Sequence, residues 1–267
     1  MTHDHLPNIF DSHSDQGNGP AVVLLHALLL DHSMFSHQSE SLSKQGFRVI
    51  TPSYAGHGRS CRLNGEPSVE AMADQVFAML DQLQITEPVI LGGLSMGGYV
   101  AFAAWKKFQD RIRGLILMNT RAVPDTTEEA ANRLRACTLI RQAKSISPLA
   151  ATMLPRILGK TTVGYQPHVW QKVARILDLT DVEAACDALL ALSTRPDRRP
   201  MLESIDVPTL VLAGEEDVIS TPVEMEQIAL GIRGAEFVTI PKVGHLTTLE
   251  SPDQVSLALS KFLTNHF

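Results

Sequence analysis

The sequence is poor in aromatic residues, in cysteine and in clustered basic residues. Only 5% of its 267 residues are aromatic, and the three cysteines, at positions 61, 137 and 186, form none of the closely spaced pairs that metal and redox sites use. We expect these thiols to be reduced and structural. Acidic residues (29) outnumber basic ones (23), the net charge is −6, and no run of basic residues occurs. The sequence therefore predicts no nucleic-acid partner.

A hydrophobic run long enough to cross a bilayer is also missing. The longest apolar stretch, residues 21–30, is interrupted by His26 and is far shorter than the roughly 20 residues that a membrane-spanning helix needs. The first 16 residues contain no basic segment followed by an apolar run. We expect a cytoplasmic protein that does not bind membranes. His3, His5 and His13 lack companion ligands, so no metal site is expected.

What the sequence does contain is an alternation of two periodicities. Apolar runs of strand length alternate with longer amphipathic segments, which is typical of an α/β fold with a mostly parallel central sheet flanked by helices. The predicted strands are residues 21–25, 47–51, 88–92, 114–119, 207–213 and 236–241, and the helices between them are residues 68–83, 96–108, 222–230 and 252–265. These strands are almost continuously hydrophobic, as expected when helices cover both faces of a sheet.

One interval interrupts this alternation. Between Asn119 and Val207 the sequence shows no strand, only segments of helical period at residues 127–144, 169–177 and 182–192. The sequence therefore predicts a core built from residues 1–120 and 200–267, with residues 121–199 inserted as a helical cap.

The residues Gly93-Leu94-Ser95-Met96-Gly97 fit the pattern G-x-S-x-G at a predicted junction between strand and helix. A strand that turns directly into a helix crowds the central serine, and the two glycines remove side chains that would collide there. The turn would present the Ser95 hydroxyl at a helix N-terminus, where negative charge is favoured. Ser95 is therefore a candidate nucleophile.

An ordinary alcohol is a poor nucleophile, so Ser95 needs an imidazole, and the imidazole needs a carboxylate that orients it. Two downstream loops can supply them, because both follow predicted strands at the edge where α/β sheets gather ligands. The first loop carries Glu215, Glu216 and Asp217, and the second carries His245. From the residues alone, any of the three acids could be the partner of His245.

With these motifs the chain from Ala21 to Phe267 resembles the α/β-hydrolase fold family of serine hydrolases. The resemblance implies that Ser95 is the nucleophile, His245 the general base and Asp217, which ends a G-x-x-D loop, the acid, with no cofactor. A second location that the family uses for the acid holds Asn119, an amide that cannot stabilise an imidazolium as a charge.

The resemblance also implies an oxyanion hole formed by two backbone N–H groups, those of Met96 and Leu28. Leu28 lies in the loop His26-Ala27-Leu28-Leu29-Leu30-Asp31, which is similar to the family's H-G-x motif except that alanine replaces glycine. If the backbone requires a positive φ at Ala27, the loop would be strained. We interpret His26, and His57 in the turn Ser53–Ser60, as structural residues.

Serine at position 95 disfavours the dehalogenase and epoxide hydrolase reactions of this fold, which use aspartate, and Leu29 replaces the proline of perhydrolases. The sequence looks most like small carboxylesterases and 3-oxoadipate enol-lactonases, so the expected substrate is a small, largely apolar ester or lactone. Two alternatives stay open: a small-molecule receptor or signalling protein, and a carbon–carbon bond hydrolase. The candidate pocket residues are Leu29, Met153, Leu154, Trp170 and Leu246. The oligomeric state is not predicted.

Overall fold

The computed structural model describes residues 12–58, 60, 62 and 65–267, and within them the chain forms a seven-stranded sheet. The strands are β1 (His13–Gln16), β2 (Ala21–Leu25), β3 (Arg48–Pro52), β4 (Val89–Leu94), β5 (Ile112–Met118), β6 (Thr209–Gly214) and β7 (Glu236–Ile240). Their order across the sheet is β1-β3-β2-β4-β5-β6-β7. β1 is antiparallel to β3 and all other pairs are parallel. The predicted fold class is confirmed.

Helices cover both faces of the sheet. They are α1 (Ser36–Ser43), α2 (Val69–Gln82), α3 (Met96–Phe108), α4 (Thr127–Ala143), α5 (Ser147–Ile157), α6 (Lys160–Tyr165), α7 (Pro167–Asp178), α8 (Val182–Ser193), α9 (Pro222–Gly231), α10 (Thr247–Glu250) and α11 (Pro252–His266). The buried apolar side chains form two large clusters, one on each face. β4 lies between β2 and β5, so the residues that follow it sit near the middle of the sheet edge.

The six predicted strands are all present, with ends within two residues of the prediction. The first strand, β1, was not predicted because its sequence, His-Ser-Asp-Gln, is polar. Among the residues that the structure describes, β1 is an edge strand that pairs with β3 alone. Most of its side chains are exposed, so no buried face requires apolar residues there.

Between β5 and β6 the chain forms the five helices α4 to α8 and no strand. α4 and α8 pack against each other through buried cysteines, and each thiol lies within 3.8 Å of the other's carbonyl oxygen, Cys137 and Cys186 being free. These helices fall within the interval predicted as a cap, and the division at residues 121 and 199 stays a prediction.

In the part of the chain that the structure describes, no helix is long and apolar enough to span a bilayer. Nor do three or more potential metal-ligating side chains cluster among those residues. His3 and His5, which the sequence raised as possible ligands, lie outside the described residues, as do Arg59 and Cys61.

Candidate active site

Ser95 is the single residue between β4 and α3, and its backbone conformation is strained. Its φ of 56° and ψ of −113° are rarely adopted by a residue with a side chain. Two contacts with the end of β5 hold it there: the Ser95 N–H donates to Met118 O at 2.9 Å, and the Thr120 hydroxyl donates to Ser95 O at 2.9 Å. The surrounding structure thus presents a serine side chain, 8% exposed, beside the first turn of α3.

Both glycines of the motif are required by close backbone approach. A Cβ atom on Gly93 would lie 2.1 Å from the Gly97 carbonyl group, and a Cβ on Gly97 would lie 2.0 Å from Leu25 O. Leu25 cannot move away easily, because it ends β2 and pairs with Gly93 in the sheet. The sequence motif therefore corresponds to a junction at which β2, β4 and α3 are in direct backbone contact.

Replacement of Gly97 by alanine should destabilise the protein, because the new methyl group meets backbone atoms that the sheet holds in place. We expect the free energy of unfolding to fall by about 1–3 kcal/mol, as for overpacked sites. Urea unfolding followed by circular dichroism measures it. Gly164→Ala in α6 is the control: a Cβ there meets no atom within 4 Å, and alanine should raise stability by about 0.5–1 kcal/mol. Equal midpoints for the two variants would contradict the packing argument.

Asp217 and His245 are hydrogen-bonded to each other. His245 Nδ1 donates to Asp217 Oδ2 at 2.8 Å, and both side chains are buried. The other oxygen, Oδ1, accepts from the N–H groups of Ile219 at 2.8 Å and Ser220 at 3.1 Å. Burial alone would raise the pKa of Asp217, but the contact with His245 and the hydrogen bonds hold that pKa below its ordinary value. The carboxylate is thus kept ionised beside the imidazole.

The two other acids of the loop have different partners. Glu215 Oε2 accepts from the Lys242 N–H at 2.8 Å, and Glu216 accepts from the N–H of Thr161 at 2.8 Å and from its hydroxyl at 2.6 Å. Of the three acids that the sequence left open, Asp217 is the one that contacts His245.

Asn119 contributes to the site although it is not an acid. It directly follows β5 with a positive φ of 44°, is fully buried, and its Nδ2 donates to Asp217 Oδ2 at 2.9 Å. Its own Oδ1 accepts from the Thr247 hydroxyl at 2.8 Å. The sequence excluded Asn119 as a charged partner of the histidine, but did not indicate that its amide supports the aspartate.

The loop after β2 carries the second group of candidate residues. Ala27 does not have a positive φ, and the left-handed residue is Leu29, with φ of 60°. The alanine that replaces the expected glycine is therefore accommodated, and the local strain lies two residues further on. The His26 side chain joins this loop to the segment after β3. Its Nδ1 donates to Ala27 O at 2.8 Å, and its Nε2 accepts from the Tyr54 N–H at 3.1 Å. Burial and the neighbouring His57 lower the pKa of His26 well below its ordinary value.

Leu28 and Met96 occupy positions that suit N–H donors. Met96 is the first residue of α3, where an N–H has no acceptor within its own helix. Leu28 lies in the loop that follows β2, and the end of β2 contacts Gly97 directly. Both N–H groups thus belong to segments that meet at the Ser95 turn.

The five candidate pocket residues belong to one apolar cluster. Leu29, Leu154 and Leu246 are buried in it, and the half-buried Met153 and Trp170 pack against it. Two cavities of about 370 Å³ lie elsewhere, one lined by residues that include Tyr54 and the other by residues that include Arg121. A substrate-binding role for the five residues stays a prediction.

The site thus has a strained serine between strand and helix, and an Asp–His pair on later loops of the same mostly parallel sheet. The family model described as "Alpha/beta hydrolase family" matches residues 22–258, nearly the whole chain. The protein belongs to the alpha/beta hydrolase family.

Several relatives of this alpha/beta hydrolase are enzymes of ester chemistry. A thermophilic esterase from Thermogutta terrifontis is 39% identical, with a TM-score of 0.92 over 95% of this chain and 93% of the esterase. An enol-lactonase from Burkholderia xenovorans is 30% identical, with a TM-score of 0.86 over 94% of this chain and 95% of that one. The 3-oxoadipate enol-lactonase 1 of Acinetobacter baylyi is 28% identical over 92% of this chain and 89% of its own length. Ester or lactone hydrolysis is therefore the general activity that the relatives of this hydrolase support.

Proposed function

We propose that this protein is a serine hydrolase that cleaves a small, largely apolar carboxylic ester or lactone through an acyl-enzyme intermediate. The observation that carries the proposal is the hydrogen bond from His245 Nδ1 to Asp217 Oδ2. With the proton on Nδ1, the neutral imidazole has its lone pair on Nε2, the atom that must accept a proton from Ser95. The strained Ser95 turn, at the carboxyl end of β4 in the same sheet, is the second support.

In the proposed reaction, the Ser95 hydroxyl gives its proton to His245 Nε2 as its oxygen attacks the carbonyl carbon. The resulting oxyanion accepts hydrogen bonds from the N–H groups of Leu28 and Met96. The bond to the leaving oxygen then breaks, and that oxygen takes the proton from His245. The acyl group stays on Ser95, and a lactone remains attached through its own chain.

Deacylation repeats the same steps with water. His245 takes a proton from a water molecule whose oxygen attacks the acyl carbon, and the collapse of the second tetrahedral intermediate returns the proton to Ser95 Oγ and releases the carboxylic acid. Asp217 keeps its negative charge throughout and stabilises the imidazolium in both halves. No cofactor is needed in this scheme.

The proposal extends to the substrate and its surroundings. The helices at residues 121–199 would roof the site as a cap, and Leu29, Met153, Leu154, Trp170 and Leu246 would line an apolar acyl or alcohol pocket, since they share one cluster. Of five arginines in this interval that could bind a substrate carboxylate (133, 135, 141, 156 and 175), Arg133 and Arg141 already pair with Asp125 and Glu183. The cytoplasmic location stays a prediction.

Covalent labelling tests the proposal directly. Diethyl p-nitrophenyl phosphate should phosphorylate Ser95 stoichiometrically, releasing p-nitrophenol, and hydrolysis of p-nitrophenyl butyrate should disappear in proportion to the label. Mass spectrometry of the peptide that contains Ser95 locates the label. Denatured protein is the control and should not react, because an isolated serine is not activated. Full esterase activity after Ser95 has been modified, or labelling of another residue in its place, would overturn the proposal.

A further inference from the structure

Glu250, at the end of α10, is an acidic residue that the proposed reaction does not use and that is nevertheless buried, with 3% of its surface exposed. Burial of a carboxylate is expensive unless hydrogen bonds replace its water. Glu250 lies five residues after His245 in the chain, and its side chain contacts the loop that carries the histidine.

Three backbone N–H groups supply the missing hydrogen bonds. Glu250 Oε1 accepts from Leu246 N at 2.9 Å, and Oε2 accepts from Gly244 N at 2.9 Å and from Gly159 N at 2.8 Å. Gly244 and Leu246 are the two neighbours of His245. One carboxylate therefore holds the backbone before and after the histidine.

The third donor belongs to a different part of the fold. Gly159 joins α5 to α6, and its backbone packs directly on Gly244: a Cβ on Gly159 would lie 2.6 Å from Gly244 N, and a Cβ on Gly244 would lie 2.3 Å from Gly159 N. Two residues further on, Thr161 donates to Glu216, the neighbour of Asp217. The junction between α5 and α6 thus contacts the loops that carry both His245 and Asp217.

We propose that Glu250 is a positioning residue for the hydrolytic reaction: its buried carboxylate fixes the backbone on both sides of His245 and joins that loop to the α5–α6 junction through Gly159. This inference rests on the proposed serine hydrolase function. The orientation of the His245 imidazole relative to Ser95 and Asp217 depends on the backbone to which it is attached. A displacement of a catalytic group by about 1 Å can lower the rate of the reaction by about 100-fold.

A carboxylate is required because all three partners are donors. An amide of the same shape offers one oxygen and one NH₂ group. In one orientation of the amide in Glu250→Gln, the NH₂ group would face the N–H of Leu246, and in the other it would face the N–H groups of Gly244 and Gly159. The substitution therefore loosens the loop on at least one side of His245 while it preserves volume.

The test compares steady-state hydrolysis of p-nitrophenyl butyrate by the wild type and Glu250→Gln. We expect kcat to fall by about 10–100-fold, as for a displaced catalytic group, while KM changes by less than about threefold. Amide hydrogen exchange followed by NMR should accelerate at Gly244, Leu246 and Gly159 but not in β4, because the change loosens a loop and not the core.

Glu129→Gln is the matched control. Glu129 also accepts a backbone N–H, that of Thr126, but at the start of α4, so kcat and KM should stay within about threefold of the wild type. Equal loss of kcat in both glutamine variants, an unchanged kcat in Glu250→Gln, or equal acceleration of exchange in β4 would overturn the inference. If Glu250→Gln does not fold, Gly159→Ala is measured in its place. Its methyl group would lie 2.6 Å from Gly244 N and would push the α5–α6 junction away from the histidine loop. An unchanged kcat in that variant would contradict the inference.

The two proposals fail in different ways. A wild-type protein without esterase activity contradicts the proposed function, and the exchange rates of the three amides then decide alone whether Glu250 holds the histidine loop. An active wild type with an equally active Glu250→Gln variant leaves the proposed function intact and contradicts only the positioning role.

Discussion

Ser95→Ala should lower kcat for p-nitrophenyl ester hydrolysis by on the order of 10⁶, the largest effect expected of any single substitution. The reason is that the variant has no atom that can form the acyl-enzyme, whereas the N–H groups of Leu28 and Met96 and the Asp217–His245 pair are untouched. The remaining rate should come only from polarisation of the ester carbonyl by the N–H groups of Leu28 and Met96. Steady-state kinetics with purified protein measures the change.

Ser193→Ala is the control for this experiment. It also deletes a serine hydroxyl, one that donates to Leu190 O at 2.8 Å in α8, and it should leave kcat unchanged within about threefold. Circular dichroism should show that both variants are folded, because alanine at position 95 adopts the strained φ of 56° no less readily than serine does. If wild type and Ser95→Ala hydrolyse esters equally, the enzymatic proposal fails and the receptor alternative gains weight.

The parts of the fold that could be predicted are those with a local signal. β2, β4 and β6 are continuous apolar runs, which buried parallel strands require, and α3 begins at Met96 as the G-x-S-x-G motif indicates. β5 begins two residues before its predicted start, at Ile112, because the exposed Arg113 interrupts the apolar pattern there.

α1 shows the opposite limit. Its sequence, Ser-His-Gln-Ser-Glu-Ser-Leu-Ser, has little apolar periodicity, so the sequence did not predict it. Distant residues stabilise this helix: Gln38 is buried, and its side-chain amide donates to Thr248 O and Pro252 O at 3.3 Å. Such contacts between residues about 210 positions apart leave no trace in local composition.

The same distinction divides the candidate site. Ser95, Asp217 and His245 could be named as candidates from strand ends and chain order, because the chemistry restricts which residue types can serve. Asn119 and Glu250 could not, because an asparagine and a glutamate have many ordinary uses, and here they bond to distant parts of the chain, Asn119 to Asp217 and Glu250 to Gly159. Leu29 is similar: sequence reasoning assigned the possible strain to Ala27, and the actual path of the loop places it at Leu29.

The supporting residues point to a site held together by fixed backbone donors. Asp217 Oδ1 accepts two backbone N–H groups and Glu250 accepts three, while Asn119 connects the end of β5 to both the acid and the Thr247 hydroxyl. The bonds of Asn119 to Asp217 and Thr247 and the bond from Gly159 to Glu250 join distant segments, so these segments cannot shift independently. The other bonds hold each loop in its own conformation. This preorganisation is what a reaction that needs aligned proton transfers requires.

Asp217→Asn should lower kcat by roughly 10³–10⁴-fold and leave the fold intact, and the hydrogen-bond pattern explains why. In the wild type, Oδ1 accepts from Ile219 and Ser220, and Oδ2 accepts from His245 and Asn119. The amide of the variant has only one oxygen, so it can serve only one of these two pairs of donors. Its oxygen should stay with the N–H groups of Ile219 and Ser220, since these backbone donors cannot be reversed. The NH₂ group then faces both donors of Oδ2: Asn119 Nδ2 loses its acceptor, and Nδ1 of His245 must become an acceptor. The proton moves to Nε2, and that atom can no longer take a proton from the serine.

Steady-state kinetics and urea unfolding of Asp217→Asn, Glu215→Gln and Glu216→Gln separate the three acids of the loop. The two glutamate variants should retain activity within about tenfold, because Glu215 is bound to the Lys242 N–H and Glu216 to Thr161, and neither partner is the histidine. If Asp217→Asn keeps its activity and one glutamate variant loses it, the role of the acid belongs to that glutamate. The loss in Asp217→Asn should appear chiefly in kcat, because the histidine adopts the wrong tautomer, while the free energy of unfolding should fall by only about 1–3 kcal/mol, since Asn119 Nδ2 loses its buried acceptor.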